Sequence, residues 1–191
     1  MDGSSPSDWA EQIAGCARGL AGGDVPALGQ LFDLTAARLL RYAQTITRGR
    51  EDAEDAVQAA IVRVARNPQS LAAVRLPWAY LLKMVRNEAL RILARKRPLT
   101  ELMDGAEKTN QTSEGLESAE RDAEVRSALK RLPAEQAEVV ILKIWEGLTF
   151  QEIATVTGES LNTVASRYRY ALAKLECSLR RVASEVGYVA E

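Results

Sequence analysis

The chain has 191 residues, 47% hydrophobic and 27% charged, with a formal net charge of −1, which suits one ordinary domain or two small ones. It contains no histidine, so Ser-His and Cys-His nucleophilic catalysis and the commonest general base and metal ligand are excluded. A non-enzymatic protein without metal or cofactor is expected.

From the N-terminus, "MDGSSPSDWAEQ" lacks the basic-then-apolar signature of a secretion signal. No run approaches the roughly 18 consecutive apolar residues of a membrane span. A cytoplasmic protein without membrane insertion is expected, with residues 1–23 as an N-terminal extension. Cys16 and Cys177 form no CxxC pair and read as small apolar fillers. "GLAGGD" lacks the GK[ST] ending of a nucleotide loop and reads as an interhelical turn. "PALGQLFDLTAARLLRYAQTIT" then sets Leu28, Leu31, Phe32, Leu39, Leu40 and Ala43 mostly on one helical stripe. After "RGRED", the spacing of Ala56, Val57, Ala60, Ile61 and Val64 predicts a second helix, stopped by Asn67-Pro68. A loop "NPQSLAAVRLP" follows. Pro77 then sits where a first helical turn tolerates proline, and "WAYLLKMVRNEALRILARKR" predicts about five turns with a basic end that suits the helix dipole.

The middle of the chain differs in charge. Residues 1–97 carry 14 Lys/Arg against 10 Asp/Glu, residues 98–127 carry 3 against 8, and residues 128–191 carry 8 of each. "PLTELMDGAEKTNQTSEGLESAE", residues 98–120, lacks apolar periodicity and is rich in Thr, Ser, Gly and Glu, so it reads as a flexible linker. An all-α chain of two small helical domains on a tether follows, over residues 24–97 and 121–183, with a tail at 184–191.

Four helices are predicted beyond the linker, punctuated by Pro133 and by Gly147 as a left-handed terminator. Thr149-x-x-Glu152 matches a capping box, so a short helix begins at Phe150 and buries Ile153, Ala154 and Val156. Gly158 ends it. Ser160 or Asn162 can cap the next helix, whose apolar positions are Leu161, Val164, Tyr168, Leu172, Leu175 and Leu179. This is a helix-turn-helix pattern. The opposite face of its second helix carries Asn162, Ala165, Ser166, Arg169 and Tyr170, which fits a DNA major groove or, as the alternative, a solvated face of a small bundle.

"LPAEQAEVVILKIWEGLTFQEIATVTGESLNTVASRYRYALAKL" closely resembles region 4 of bacterial sigma-70 family factors, whose common form runs LP, then EGLSxxEIA, then GxxxxTVxSR. "LFDLTAARLLRYAQTITRGREDAEDAVQAAIVRVARN" followed by "WAYLLKMVRNEALRILARKR" resembles region 2 of the small extracytoplasmic-function (ECF) sigma factors. Together the matches cover roughly residues 24–182. The resemblance implies two partners, core RNA polymerase (β′ and β subunits) and promoter DNA, with an anti-sigma protein common in this group.

By that resemblance, Asp52, Asp55, Gln58 and Arg63 are core-polymerase contacts on a helix that docks against the β′ coiled coil. Arg75, Lys83, Arg86, Asn87, Arg91 and Arg95 belong to the part that captures the minus-10 element, with Lys96 and Arg97 adding charge and Trp78 and Tyr80 as stacking candidates. For Trp78, packing in the bundle is the other reading. Opening a duplex without ATP needs a pocket for an extruded base and a basic track for phosphates, which these residue types supply. Asn162, Thr163, Ser166, Arg167, Arg169 and Tyr170 would read or hold the minus-35 element. Ala59 stands where the family commonly has an acid, and Ala165 and Leu172 where it often has Lys or Arg. A helix-turn-helix regulator that never binds polymerase and a sigma-like adaptor that never reads DNA are the competing expectations.

Overall fold

The computed structural model describes residues 6–100, 125 and 127–185, with side chains over 8–96, 125 and 127–179. Eight α-helices are delimited among them: α1 Pro6–Ala21, α2 Pro26–Thr47, α3 Arg50–Arg66, α4 Pro68–Ala72, α5 Pro77–Thr100, α6 Ala134–Ile144, α7 Phe150–Thr157 and α8 Leu161–Glu185. Residues 127–131 are also helical, and no strand occurs among the described residues. The chain divides into two compact units. The linker expected over 98–120 lies, from residue 101 onward, outside the described residues, as does the tail beyond 185.

The first unit is built by α1 to α5. α2 and α3 pack on each other and both on α5, while α1 lies against α2, α4 and α5. Leu31, Leu39, Tyr42, Val64, Leu71, Leu81, Leu82 and Val85 are fully buried between them. The turns obey local chemistry. Gly23 takes φ +90 in the "GLAGGD" turn, Pro26 opens α2, and Arg48 closes it at φ 59 with its N–H on the Gln44 carbonyl. Buried Thr35 returns its hydroxyl to the Leu31 carbonyl at 2.6 Å, which removes the cost of an unpaired donor.

Five expectations change here. Residues 6–21 form α1 and bury Ile13, Cys16, Ala17 and Leu20, so this segment is part of the bundle. The loop after Asn67 contains α4. α5 continues past Arg97 through Pro98 to Thr100; proline breaks only the bond back to Ala94, near the end of a helix held by its long buried face. Phe32 is exposed while Ala27 and Thr35 take inward positions on α2, because the buried stripe is set by α3 and α5 rather than by side-chain hydropathy. The cysteines also differ from each other: Cys16 is buried, and Cys177 is exposed rather than a filler. Burial pushes the Cys16 thiol up, away from the reactive thiolate.

In the second unit Leu132, Ala137, Val140 and Ala171 form a buried cluster with Leu129, Tyr168 and Leu175 against it, joining α8 to α6. Gly147 takes φ +69, and Leu148 N–H reaches the Leu142 carbonyl at 3.0 Å. The capping box forms as the sequence predicts: Glu152 N–H donates to Thr149 Oγ1 at 3.3 Å and Thr149 N–H to Glu152 Oε2 at 2.7 Å. Thr149→Ala is expected to cost about 1 kcal/mol by leaving that donor uncapped, measurable as a lower urea midpoint for this unit. An unchanged midpoint would mean that tertiary contacts alone hold α7.

Candidate nucleic-acid and docking interfaces

α7, the turn at Gly158 (φ +76) and α8 make the helix-turn-helix. Ser160, not Asn162, caps α8, with Thr163 N–H on Ser160 Oγ at 3.1 Å. Phe150 of α7 meets Tyr168 of α8 edge to face at 5.4 Å, so Tyr168 is half-buried while Arg169 and Tyr170 turn outward. Asn162, Arg169 and Tyr170 are exposed, and Thr163, Ala165 and Ser166 half-exposed. Arg169 stands over the Tyr170 ring at 5.5 Å, a pairing that leaves a planar cation and a ring together on the outer face.

Two expected readers are otherwise engaged. Ser166 Oγ donates to the Asn162 carbonyl at 2.8 Å and to that of Thr163 at 3.0 Å, so it faces a base as an acceptor. Arg167 is ion-paired with Glu159 at 3.1 Å and its side chain is 26% exposed; it steadies the turn. Three positions expected to be apolar core, Leu161, Leu172 and Leu179, are exposed. The inward stripe of α8 runs through Val164 and Ala171 instead, a shift that 3.6-residue periodicity permits when Ala suffices against α6.

On α3, Ala53, Ala56, Val57, Ala60 and Val64 face inward. Glu51, Asp55, Gln58 and Val62, at helical spacing, form an exposed stripe. Asp52 is not on it: its side chain is 13% exposed and binds Lys96 Nζ of α5 at 2.7 Å. Arg63 is exposed, yet its Nη1 lies 3.5 Å from Glu88 Oε1. Asp52 and Arg63 therefore tie α3 to α5.

Along α5, Leu81, Leu82, Val85 and Ala89 are buried, and Tyr80, Lys83, Asn87 and Leu90 rise on the outer side in steps of three and four residues. Asn87 and Arg95 are exposed, as is Arg75 in the segment before α5; Lys83 and Arg86 are half-exposed. Arg91 is turned onto Glu88, with Nε at 2.8 Å from its carboxylate. Trp78 is 7% exposed, meets Trp9 of α1 edge to face at 4.8 Å, and lies under Arg38. It is packed in the bundle. Neither Glu88 nor Trp9 was flagged by the sequence; a lone acid in a basic helix, and apolar spacing from Trp9 through Ile13 to Leu20, were the available signals.

Among the described residues no three-residue cluster of metal-ligating type occurs, and no helix is long and apolar enough to cross a membrane. In chain order, a helical bundle with a basic helix is followed by a helix-turn-helix unit, the parts of a DNA-binding protein. Family comparison makes this specific. The family described as "Sigma-70 region 2" matches residues 31–98 and "Sigma-70, region 4" matches residues 122–175. The chain is 32% identical over 147 residues to RNA polymerase sigma factor SigV of Bacillus subtilis, covering 74% of this chain and 84% of that protein. It is 30% identical over 168 residues to ECF RNA polymerase sigma factor SigL of Mycobacterium tuberculosis, covering 86% and 95%. Among solved structures, the sigma factor RpoE in complex with the anti-sigma factor NepR from Bartonella quintana superposes with TM-score 0.70 at 22% identity, covering 82% of this chain and 98% of that one. CnrH in complex with the cytosolic domain of CnrY gives 0.63 at 26%, covering 89% and 98%. The chain belongs to the sigma-70 family, and its relatives are ECF sigma factors that direct RNA polymerase to promoters.

Proposed function

We propose that the jobs of a sigma factor divide among three exposed helix faces: Asp55, Gln58 and Val62 of α3 dock on core RNA polymerase, the Tyr80, Lys83 and Asn87 face of α5 takes the nontemplate strand at the minus-10 element, and Asn162, Ser166, Arg169 and Tyr170 of α8 read the minus-35 element. The observation that carries the reading is the α5 face, where an amide able to pair with a base edge, a cation and an aromatic ring follow one another over a fully buried opposite side. The protein performs no reaction of its own; it supplies positions, and polymerase supplies the chemistry. It works in the cytoplasm, and a protein partner of the kind seen with RpoE and NepR holds it silent.

Run-off transcription with core enzyme on a promoter mapped from transcript starts tests the whole reading, since a regulator or adaptor yields no specific transcript. Asn87→Ala with Lys83→Ala is expected to lower permanganate reactivity of the melted thymines on the order of thirtyfold, each lost contact contributing about 1 kcal/mol. Core binding should stay intact, because α3 is untouched. Equal reactivity in variant and wild type would remove both residues from strand capture.

A further inference from the structure

Glu88 is one of the few buried charged residues among those described, and it sits between two groups that the sequence assigned to different partners. Its side chain is 10% exposed, against 52% for Arg91 and 68% for Arg63. Arg91 reaches it through both Nε and Nη2, a two-nitrogen grip from one helical turn away. Arg63 approaches the other carboxylate oxygen from α3. The acid is therefore inside and the bases are at the rim, so the buried carboxylate is paired on both oxygens. Asn87 is its neighbour in sequence on the exposed side of the same turn.

We propose that Glu88 is a positioning residue for strand capture: it holds Arg91 in one orientation beside Asn87 and withholds that charge from nucleic-acid phosphates, trading general DNA affinity for selectivity at the minus-10 element. The inference rests on the assignment of the α5 face to that element. Its physics has two parts. An arginine already neutralised by a carboxylate gains little from a phosphate, so it adds little to sequence-independent, salt-sensitive binding. A guanidinium held through Nε and Nη2 still presents its other N–H groups, but in a fixed direction, which favours one base geometry over another. Without the carboxylate, the same arginine becomes a flexible cation that any strand attracts.

Glu88→Gln keeps the volume and an acceptor while removing the charge; both arginines are exposed enough to hydrate, so the bundle should persist. The test uses holoenzyme reconstituted from the full chain and bacterial core polymerase, binding labelled nontemplate single strands at several salt concentrations. One strand carries the minus-10 sequence mapped from transcript starts, and the other a scramble of equal composition. The expected result is tighter binding of the scramble, a fall in the element-to-scramble ratio of roughly threefold to tenfold, and a salt slope steeper by about 0.7, the value of one added phosphate contact on a single strand. An unchanged ratio and slope, with only a lower melting temperature, overturn the role of Glu88 and leave the function reading standing. A wild-type holoenzyme that does not distinguish the strands overturns the function reading, and this role with it. Should Glu88→Gln fail to fold, Arg91→Lys decides the matter: it keeps the charge and loses the two-nitrogen grip, so the ratio should fall at an unchanged slope. An unchanged ratio in that variant also overturns the proposal.

Discussion

Leu132→Ala is expected to destabilise the helix-turn-helix unit by about 2–5 kcal/mol, the range for removing a buried leucine side chain. Leu132 is the largest aliphatic member of a buried cluster whose other members are Ala137, Val140 and Ala171. Two of those have only a methyl group, so they cannot move in to fill the space, and the cost should lie toward the upper part of the range. A unit of this size commonly has a total stability of roughly 3–10 kcal/mol, so much of its population would unfold. The expected phenotype is selective. Amide exchange should quicken throughout α6 and α8, and transcription should lose its dependence on the minus-35 element, while core binding through α3 persists. If exchange in α6 and α8 stays at the wild-type rate, the cluster does not hold the recognition helix.

Arg169→Ala is expected to cost about 1–3 kcal/mol at one base pair of the minus-35 element and little elsewhere, if the guanidinium forks onto a guanine edge. The structure favours this over a phosphate contact on one ground. Arg169 lies 5.5 Å over the ring of Tyr170, which is itself 57% exposed, and a cation held near a ring face is restrained before DNA arrives. Arg167, by contrast, is committed to Glu159. Promoters mutated singly through the element, assayed at one fixed salt concentration with wild type and variant, decide the assignment. A uniform loss across all of them would make Arg169 a phosphate contact and leave Asn162, Ser166 and Tyr170 to carry base recognition.

Much of this protein was determined by local sequence chemistry. The helices α2, α3 and α5, the stops at Asn67-Pro68 and Gly158, the start at Pro77 and the Thr149-Glu152 box all follow from interactions spanning a few residues, and such interactions are written in neighbouring letters. The family motifs, equally local, carried the functional reading. What only the tertiary structure decided is which partner each charged or apolar side chain meets. Asp52 and Lys96 are 44 positions apart and Arg63 and Glu88 are 25 apart, yet each pair closes the seam between α3 and α5. In the sequence, Asp52 was indistinguishable from Asp55, because both are acids on one amphipathic helix; about 60° around the helix separates the buried partner of a lysine from exposed Asp55, the proposed docking contact. Ala171 takes the inward place expected of Leu172 for the same reason, since it is the edge of α8 that packs with Ala137 and Val140 of α6. Helical periodicity defines a stripe to within about one residue, and the neighbouring helices select which edge of that stripe is covered.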